Sequence, residues 1–409
     1  MRLPFYFLWA GQSFATVAGS LTTMALIALV YNTTGSATFA ASVSLVGVLA
    51  KFTSSLLAPL IFDRFRLQSI LLLSQTAEML MVTVQTLLVT LFFSPDRILL
   101  LYLVIYCTRF FNGWAVSSRT SLVPRLVQEN KLVKANSLIS TTEQTLGLLG
   151  WTAGGMMLVY LSERHVLWLT VGLLFLSAVT VLFIQDDHTK QTGKRLLRWI
   201  SVKEGWAALF QHPQLRKVTI MDTIEGIAGG IWIGGILLVF VEEVLHRGEE
   251  WWGYINASYF VGAIMGGLVV MTMSKFIQQR LVASMIVGSF GVCFLIFAFA
   301  LTDRPLLALL LALVMGPFYQ IRDIAQRTYF QKHTPLELQP KVFAAQSSLY
   351  YAIFSASVFV MGAIADLLEI RLVYLTAGSL YLTSSIVALF SKEKEQGAKE
   401  EIHTDQRLL

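Results

Sequence analysis

Charge is what this sequence is short of. Asp, Glu, Lys and Arg together make up 14% of its 409 residues, where a soluble globular chain carries about 25%. That is too little to cover a water-facing surface, which excludes a large soluble enzyme. Cysteine is almost missing as well. Cys107 and Cys293 stand far apart inside apolar runs, so neither a disulfide nor a thiolate metal site is implied. Six histidines, His165, His188, His212, His246, His333 and His403, fall in loops or tails without ligand spacing, and no metal or cofactor is expected. There is no GxxxxGK[ST] loop to cradle a nucleotide, so ATP drive would need another subunit. Nor is there an H-E-x-x-H element or a nucleophile–base constellation, which leaves an intramembrane enzyme only a remote alternative.

Apolar residues fill the space left by charge: they are 55% of the chain, and mean hydropathy is +0.65. The excess is spread along nearly the whole length, which marks a membrane protein. Runs of about 20 residues, enough to cross about 30 Å of hydrocarbon, occur near 5–31, 39–62, 69–94, 98–118, 136–160, 166–184, 217–241, 252–273, 281–302, 305–326, 342–365 and 371–391. Residues 1–31 are too long, and lack the small-residue cleavage site, for a removed signal peptide, so the first run is a retained helix.

The basic residues, which raise the isoelectric point to about 9.2, sit mostly in the short segments between runs. With both termini placed inside, inner segments hold 23 Lys and Arg and outer loops 5, leaving Lys51, Arg109 and Arg322 within spans. This bias orients the chain with both ends cytoplasmic and makes the charge topogenic, with no nucleic acid as partner. Residues 185–216 are polar and basic with an amphipathic piece near 196–210, expected to lie on the inner leaflet. Residues 392–409 are charged and poor in apolar side chains, expected to be disordered.

The linker divides the runs into six and six. Phe62-Asp63-Arg64-Phe65 aligns with Met273-Ser274-Lys275-Phe276, Ser118-Arg119-Thr120 with Gln326-Arg327-Thr328, and Ala135-Asn136-Ser137-Leu138 with the stretch Ala345 to Leu349. Corresponding loops repeated at nearly one offset indicate two parallel bundles related by an axis along the membrane normal, a transporter architecture. The expected organisation is a bundle over 1–184, a cytoplasmic linker over 185–216, a bundle over 217–391 and a tail over 392–409.

Three local elements carry a family resemblance over residues 1–391. The second inner loop reads Pro59-Leu60-Ile61-Phe62-Asp63-Arg64-Phe65-Arg66, close to G-x-x-x-D-R with proline for glycine. Span 4 reads Arg109-Phe110-Phe111-Asn112-Gly113, close to R-x-x-q-G with asparagine for glutamine. Span 5 reads Gly150-Trp151-Thr152-Ala153-Gly154-Gly155, close to G-P-x-x-G-G with tryptophan for proline. These resemble the major facilitator superfamily, in particular the drug, macrolide and siderophore exporters of its proton-antiporter branch. The resemblance implies an all-α fold of twelve transmembrane helices and a secondary transporter, proton-coupled, exporting a small amphipathic substrate from a bacterial inner membrane as a monomer. It implies an inner-face latch at Asp63, Arg64 and Arg66, and helix-packing glycines at Gly113, Gly150, Gly154 and Gly155. Ser20 follows Gly19 where related exporters often carry an acid, so a proton-carrying carboxylate must lie elsewhere. An importer or lipid flippase of the same fold stays open.

Depth selects the coupling candidates. Arg109 lies about 15 Å above Arg119, and Glu143 about 13 Å above Lys134, at 1.5 Å per residue. An Arg109–Glu143 pair on spans 4 and 5 is therefore the leading expectation, with Asp222 and Glu225 next. Lys51 and Glu78 match in depth and read as a structural pair. Asp222, Glu225, Arg322 and Asp323 sit near inner ends, where snorkelling or gate contacts serve as well as coupling. Trp9, Gln12, Asn112, Trp232, Asn256, Tyr259, Tyr319 and Gln346 are the candidates for a substrate cavity.

Overall fold

A backbone in hydrocarbon has no water to bond to, so a helix, which satisfies its own amides, is the economical way across. In a computed structural model of the protein, the backbone is described for residues 1–92, 94, 97–185, 198–232 and 234–405. Among the described residues there are sixteen α-helices and no strand. In order they are α1 (Leu3–Thr34), α2 (Ala37–Leu57), α3 (Pro59–Phe62), α4 (Leu67–Leu87), α5 (Ile98–Leu126), α6 (Leu132–Tyr160), α7 (Glu163–Leu182), α8 (Arg198–Gln211), α9 (Pro213–Ala228), α10 (Gly234–Glu243), α11 (Glu250–Thr272), α12 (Ser274–Gln279), α13 (Leu281–Leu301), α14 (Pro305–His333), α15 (Gln339–Leu367) and α16 (Ile370–Asp405).

Local chemistry sets several ends. Pro4 stands in the first turn of α1, where its missing amide costs no bond. Gly35 closes that helix at φ 65°, donating its N–H to the Tyr31 carbonyl at 2.8 Å, a left-handed residue that glycine adopts without strain. Ser36 then caps α2 by accepting the Phe39 amide.

Among the described residues, ten segments are long and apolar enough to span a bilayer. Residues 213–243 supply an eleventh, bent by 54° where α9 gives way to the glycine-rich stretch before α10. The remaining expected span is α6, whose 29 residues give about 43 Å of helix. It misses the apolar set because its middle reads Ser140-Thr141-Thr142-Glu143-Gln144-Thr145. The protein is thus an all-α polytopic membrane protein, with a described helix at each of the twelve expected positions.

Two compact units organise these helices. The first comprises residues 1–129, 142–207 and 334–351; the second comprises 130–141, 208–333 and 352–409. In the first, α1 packs on α7 and α2, and α5 on α2 and α4, around Leu21, Leu26, Val30, Leu101, Ile105 and Leu167. In the second, α14 packs on α11 and α13, and α16 on α9 and α13. Its core is aromatic: Phe240 stacks on Phe299 at 4.9 Å between ring centroids and meets Tyr374 at 4.6 Å.

The surface inverts the rule for soluble proteins. Phe294 and Phe359 are each 73% exposed, whereas Glu78 and Glu225 are 3% and 4% exposed. Apolar side chains facing outward suit lipid, and buried carboxylates mark functional interiors.

Of the expected linker, residues 186–197 lie outside the described ones, and the amphipathic piece forms α8. It was expected to rest on the inner leaflet. In the structure one face, with Ser201, Val202 and Leu209, is buried in protein while Trp199 is exposed. Small side chains on that face permit the contact: a Cβ on Gly205 would come within 2.4 Å of the Lys341 carbonyl oxygen. The described backbone of α16 continues to Asp405 through the segment expected to be disordered. Its Glu, Lys and Ala residues are strong helix formers. Residues 406–409 lie outside the described ones.

Candidate functional site

The first unit collects five charged side chains from four helices: Lys51 on α2, Glu78 on α4, Arg109 and Arg119 on α5, and Glu143 on α6. Lys51 lies in the fields of Arg109, Glu78 and Arg119, and Arg119 in those of Glu143 and Glu78. Their described partners differ from those expected. Arg109 turns toward α1, donating from one Nη to the Thr23 hydroxyl at 2.5 Å and to the Gly19 carbonyl at 3.5 Å. Glu143 accepts from the Gln12 amide, and next to it Trp9 donates from its indole to Thr142 at 3.0 Å. The described contacts of Arg109 and of Glu143, expected as a pair, both run to α1. The reason is azimuth: depth follows from rise per residue, but which neighbour a side chain faces does not.

Glu78 meets a neutral partner. Both its oxygens accept from the Asn112 amide, at 3.0 and 3.1 Å, so the asparagine of the span-4 element holds the span-3 carboxylate. Lys51, expected to pair with Glu78, instead stands 6.0 Å from the centroid of the Tyr351 ring, near the outer limit of a cation–π contact.

The second unit holds a tighter arrangement. Arg322 on α14 binds Asp222 at 2.9 Å and Glu225 at 2.6 Å, both on α9. The Glu225 contact is close without the alignment of a hydrogen bond, since both its atoms are buried with no hydrogen-bond partner. The other oxygen of Glu225 accepts from Ser384 at 2.5 Å and Ser289 at 3.1 Å. Snorkelling does not describe this group. Arg322 and Glu225 are 5% and 4% exposed, enclosed by α9, α13, α14 and α16. Asp323 points away to Arg327, 3.5 Å distant on the same helix.

Asp63 leaves the end of α3 and meets Lys341 at 2.7 Å, and Ser201 of α8 donates to it. Lys341 also binds Glu204 of α8 at 2.7 Å. Arg64 and Arg66, expected alongside Asp63, are exposed. The packing glycines divide. A Cβ would lie 2.4 Å from Ser54 Oγ at Gly113, 2.9 Å from Ser20 Cβ at Gly150 and 2.9 Å from Met24 Sδ at Gly154, but at an ordinary 3.5 Å from Met24 at Gly155.

Among the cavity candidates, Tyr259 and Tyr319 are half-buried and meet edge to face at 6.1 Å. Asn112, Gln346 and Trp9 are half-buried, and Gln12 is buried. Trp232 packs on Phe299 and Tyr374 at the rim of the aromatic core, and Asn256 bonds back to the Trp252 carbonyl at 2.8 Å. These two have local structural partners. Sequence reasoning missed Lys341, counted only as inner-loop charge, and the polar contacts of the start of α6. There Asn136 donates to Thr328 at 2.9 Å and Gln331 at 2.7 Å, and Ser140 to Gln320 at 2.8 Å. The repeated Ala-Asn-Ser-Leu stretch was the available signal.

Residues 8–358 match the family model described as Major Facilitator Superfamily. The MFS-type transporter YfmI of Bacillus subtilis (strain 168), itself uncharacterized, is 36% identical over 390 residues, 94% of this chain and 96% of that protein. The multidrug efflux pump Tap of Mycolicibacterium fortuitum is 23% identical, covering 92% of each. In fold, the crystal structure of the MFS transporter FucP superimposes with a TM-score of 0.78 at 13% identity, over 95% of this chain and 99% of that one.

Proposed function

Since the chain belongs to the Major Facilitator Superfamily, a family of membrane transporters, we propose that it is a proton-coupled exporter of small amphipathic compounds. Drug-, macrolide- and siderophore-like molecules are the classes meant, moved by alternating access. Its working halves are residues 1–184 and 217–391, joined by a cytoplasmic linker, with both termini cytoplasmic, in a bacterial inner membrane, as a monomer. The similarity to Tap, a multidrug efflux pump, supports export.

One observation carries the coupling: in the second unit two carboxylates, Asp222 and Glu225, share the single guanidinium of Arg322. Two ionised carboxylates gathered on one guanidinium inside a membrane protein repel each other, which is costly. One proton relieves that repulsion. Ser289 and Ser384, whose hydroxyls rotate, can donate to a carboxylate or accept from a carboxylic acid. The group is thus built to hold a proton in one stage of a cycle and release it in another. Arg109, which donates to Thr23 of α1, and Glu143, which accepts from Gln12 of α1, belong to substrate handling on this reading.

Inverted vesicles supply the test. An imposed pH gradient should drive accumulation of a compound panel by the wild type, and Glu225→Gln should abolish this while substrate binding survives. Gradient-driven accumulation by that variant would remove Glu225 from coupling. Accumulation in right-side-out vesicles alone would make the protein an importer.

A further inference from the structure

α4 is apolar along most of its length, yet it buries a row of polar side chains. Ser74, Gln75, Glu78, Gln85 and Thr86 are each at most 3% exposed, on a helix that packs on α5 and α7. Glu78 is the acid among them. Its two oxygens accept from a single amide, that of Asn112, at 3.0 and 3.1 Å. Among the described residues no cation lies within ion-pair distance of it; the fields that reach it come from Arg109 and Arg119 of α5 and Lys51 of α2. The other elements packed on α4 are α3, α7 and the turn after it, and they hold no titratable side chain over 59–62, 166–182 and 88–92.

An ionised carboxylate held this deep by one neutral donor is costly, and a proton removes the charge. The resulting acid has an O–H to place. Gln75 stands one turn before Glu78, in the neighbouring position on the helix surface, and its carbonyl oxygen is buried without a hydrogen-bond partner.

The same side of the helix continues toward the outer end. Gln85 follows Glu78 by seven residues, close to two turns, so the two share one side of α4 about 10 Å apart along its axis. Gln85 is 0% exposed, and neither its amide nitrogen nor its oxygen has a partner. Buried polar groups are nearly always paired, and leaving them unmet is costly. Beyond Gln85 the helix widens into a π turn over Leu88–Phe92, a distortion frequent at functional sites. The Thr90 hydroxyl in that turn is also buried and unpaired. Donors and acceptors open along one side are what ordered water needs in order to pass a proton.

We infer that Glu78 is a second proton-binding group, supplied from the outer end of α4 along the side that carries Gln85 and Thr90. The inference rests on the proton-coupled reading and adds to it: Glu225 and its partners hold one proton in the second unit, and Glu78 holds another in the first. A water-borne proton passes Gln85 to a carboxylate oxygen of Glu78, which becomes an acid able to donate to Gln75. Its departure restores the carboxylate on the Asn112 amide.

The experiment places the full chain in lipid nanodiscs and follows the carbonyl band of protonated carboxylic acids by attenuated-total-reflection infrared spectroscopy, from acidic to alkaline buffer. Glu78→Gln should remove one component of that band. Where Glu78→Gln does not fold, Asn112→Leu, which takes away the amide donor on Glu78, should shift the frequency of the same component. A band that the variant leaves unchanged means that Glu78 stays ionised, and overturns the site. Exchange into heavy water reads the route. Gln85→Leu should leave the size of the component as it is and slow its deuterium shift several-fold. The same variant should unfold at a higher temperature, since an apolar side chain replaces unpaired polar atoms. A glutamine with a structural role alone would lose stability on replacement and let exchange run as fast as in the wild type, which overturns the route. These bands are read without substrate or gradient. A Glu78 component in a protein that accumulates none of the compound panel would leave the proton site standing and sink the exporter. Gradient-driven accumulation without a Glu78 component would do the reverse.

Discussion

The two units meet the same problem, charge inside a membrane protein, with opposite solutions. In the second unit the charges are closed on one another: one guanidinium, two carboxylates and two serine hydroxyls within bonding distance. In the first the described contacts of Glu78, Glu143, Arg109 and Lys51 are with amides, a hydroxyl, a carbonyl and an aromatic ring. Removing a member of the closed network strands a buried partner charge, whereas the described contact of Lys51 is an aromatic ring.

The largest effect should come from opening the closed network. Arg322→Met takes the guanidinium away from Asp222 and Glu225, and removing one partner of a buried pair costs about 3–5 kcal/mol. Thermal unfolding in detergent should show a marked fall. Lys51→Met, by contrast, removes a cation without stranding a paired carboxylate, and should change stability by less than about 1 kcal/mol. Equal losses for the two substitutions would erase the distinction between the units.

Next in size are the close helix approaches. A Cβ on Gly262 of α11 would lie 1.9 Å from the Leu313 carbonyl oxygen of α14, and one on Gly316 2.4 Å from the Gly262 carbonyl carbon. Both obstacles are backbone and cannot rotate away. Gly113 in the first unit would meet Ser54 mainly at its side chain, which can. Gly262→Ala should therefore destabilise by about 1–3 kcal/mol, the range for overpacking, and Gly113→Ala by less. Melting temperatures in the reverse order would mean that α11 and α14 adjust more easily than their backbones suggest.

These comparisons also mark how far the sequence could be read. Helix positions were legible because hydropathy and length decide them, even for α6, whose polar centre keeps it out of the apolar set. Partners were not. Arg109 finds Thr23 and Glu143 finds Gln12 on α1, a helix that depth alone did not connect to them. The Arg322 group needs α9 against α14, a contact between segments some hundred residues apart. Lys341 was read as loop charge because its partners Asp63 and Glu204 are distant in sequence, and nothing local marks it.

The smallest effect on stability is expected at the inner-loop motif, and its form is more informative than its size. Asp63 is 23% exposed at the side chain and Lys341 7%, with Glu204 also 2.7 Å from the ammonium. Asp63→Asn leaves Lys341 on Glu204, and Glu204→Gln leaves it on Asp63, so each alone should cost less than about 1 kcal/mol, as for partly exposed pairs. Together they strand a nearly buried ammonium. The double variant should then exceed the sum of the singles by more than the roughly 0.3–0.5 kcal/mol within which independent sites add. Transport should slow several-fold in Asp63→Asn with insertion intact, because the contact ties the loop after α3 to the start of α15 and to α8. Additive losses and wild-type transport in the single variant would reduce Asp63 to topogenic charge.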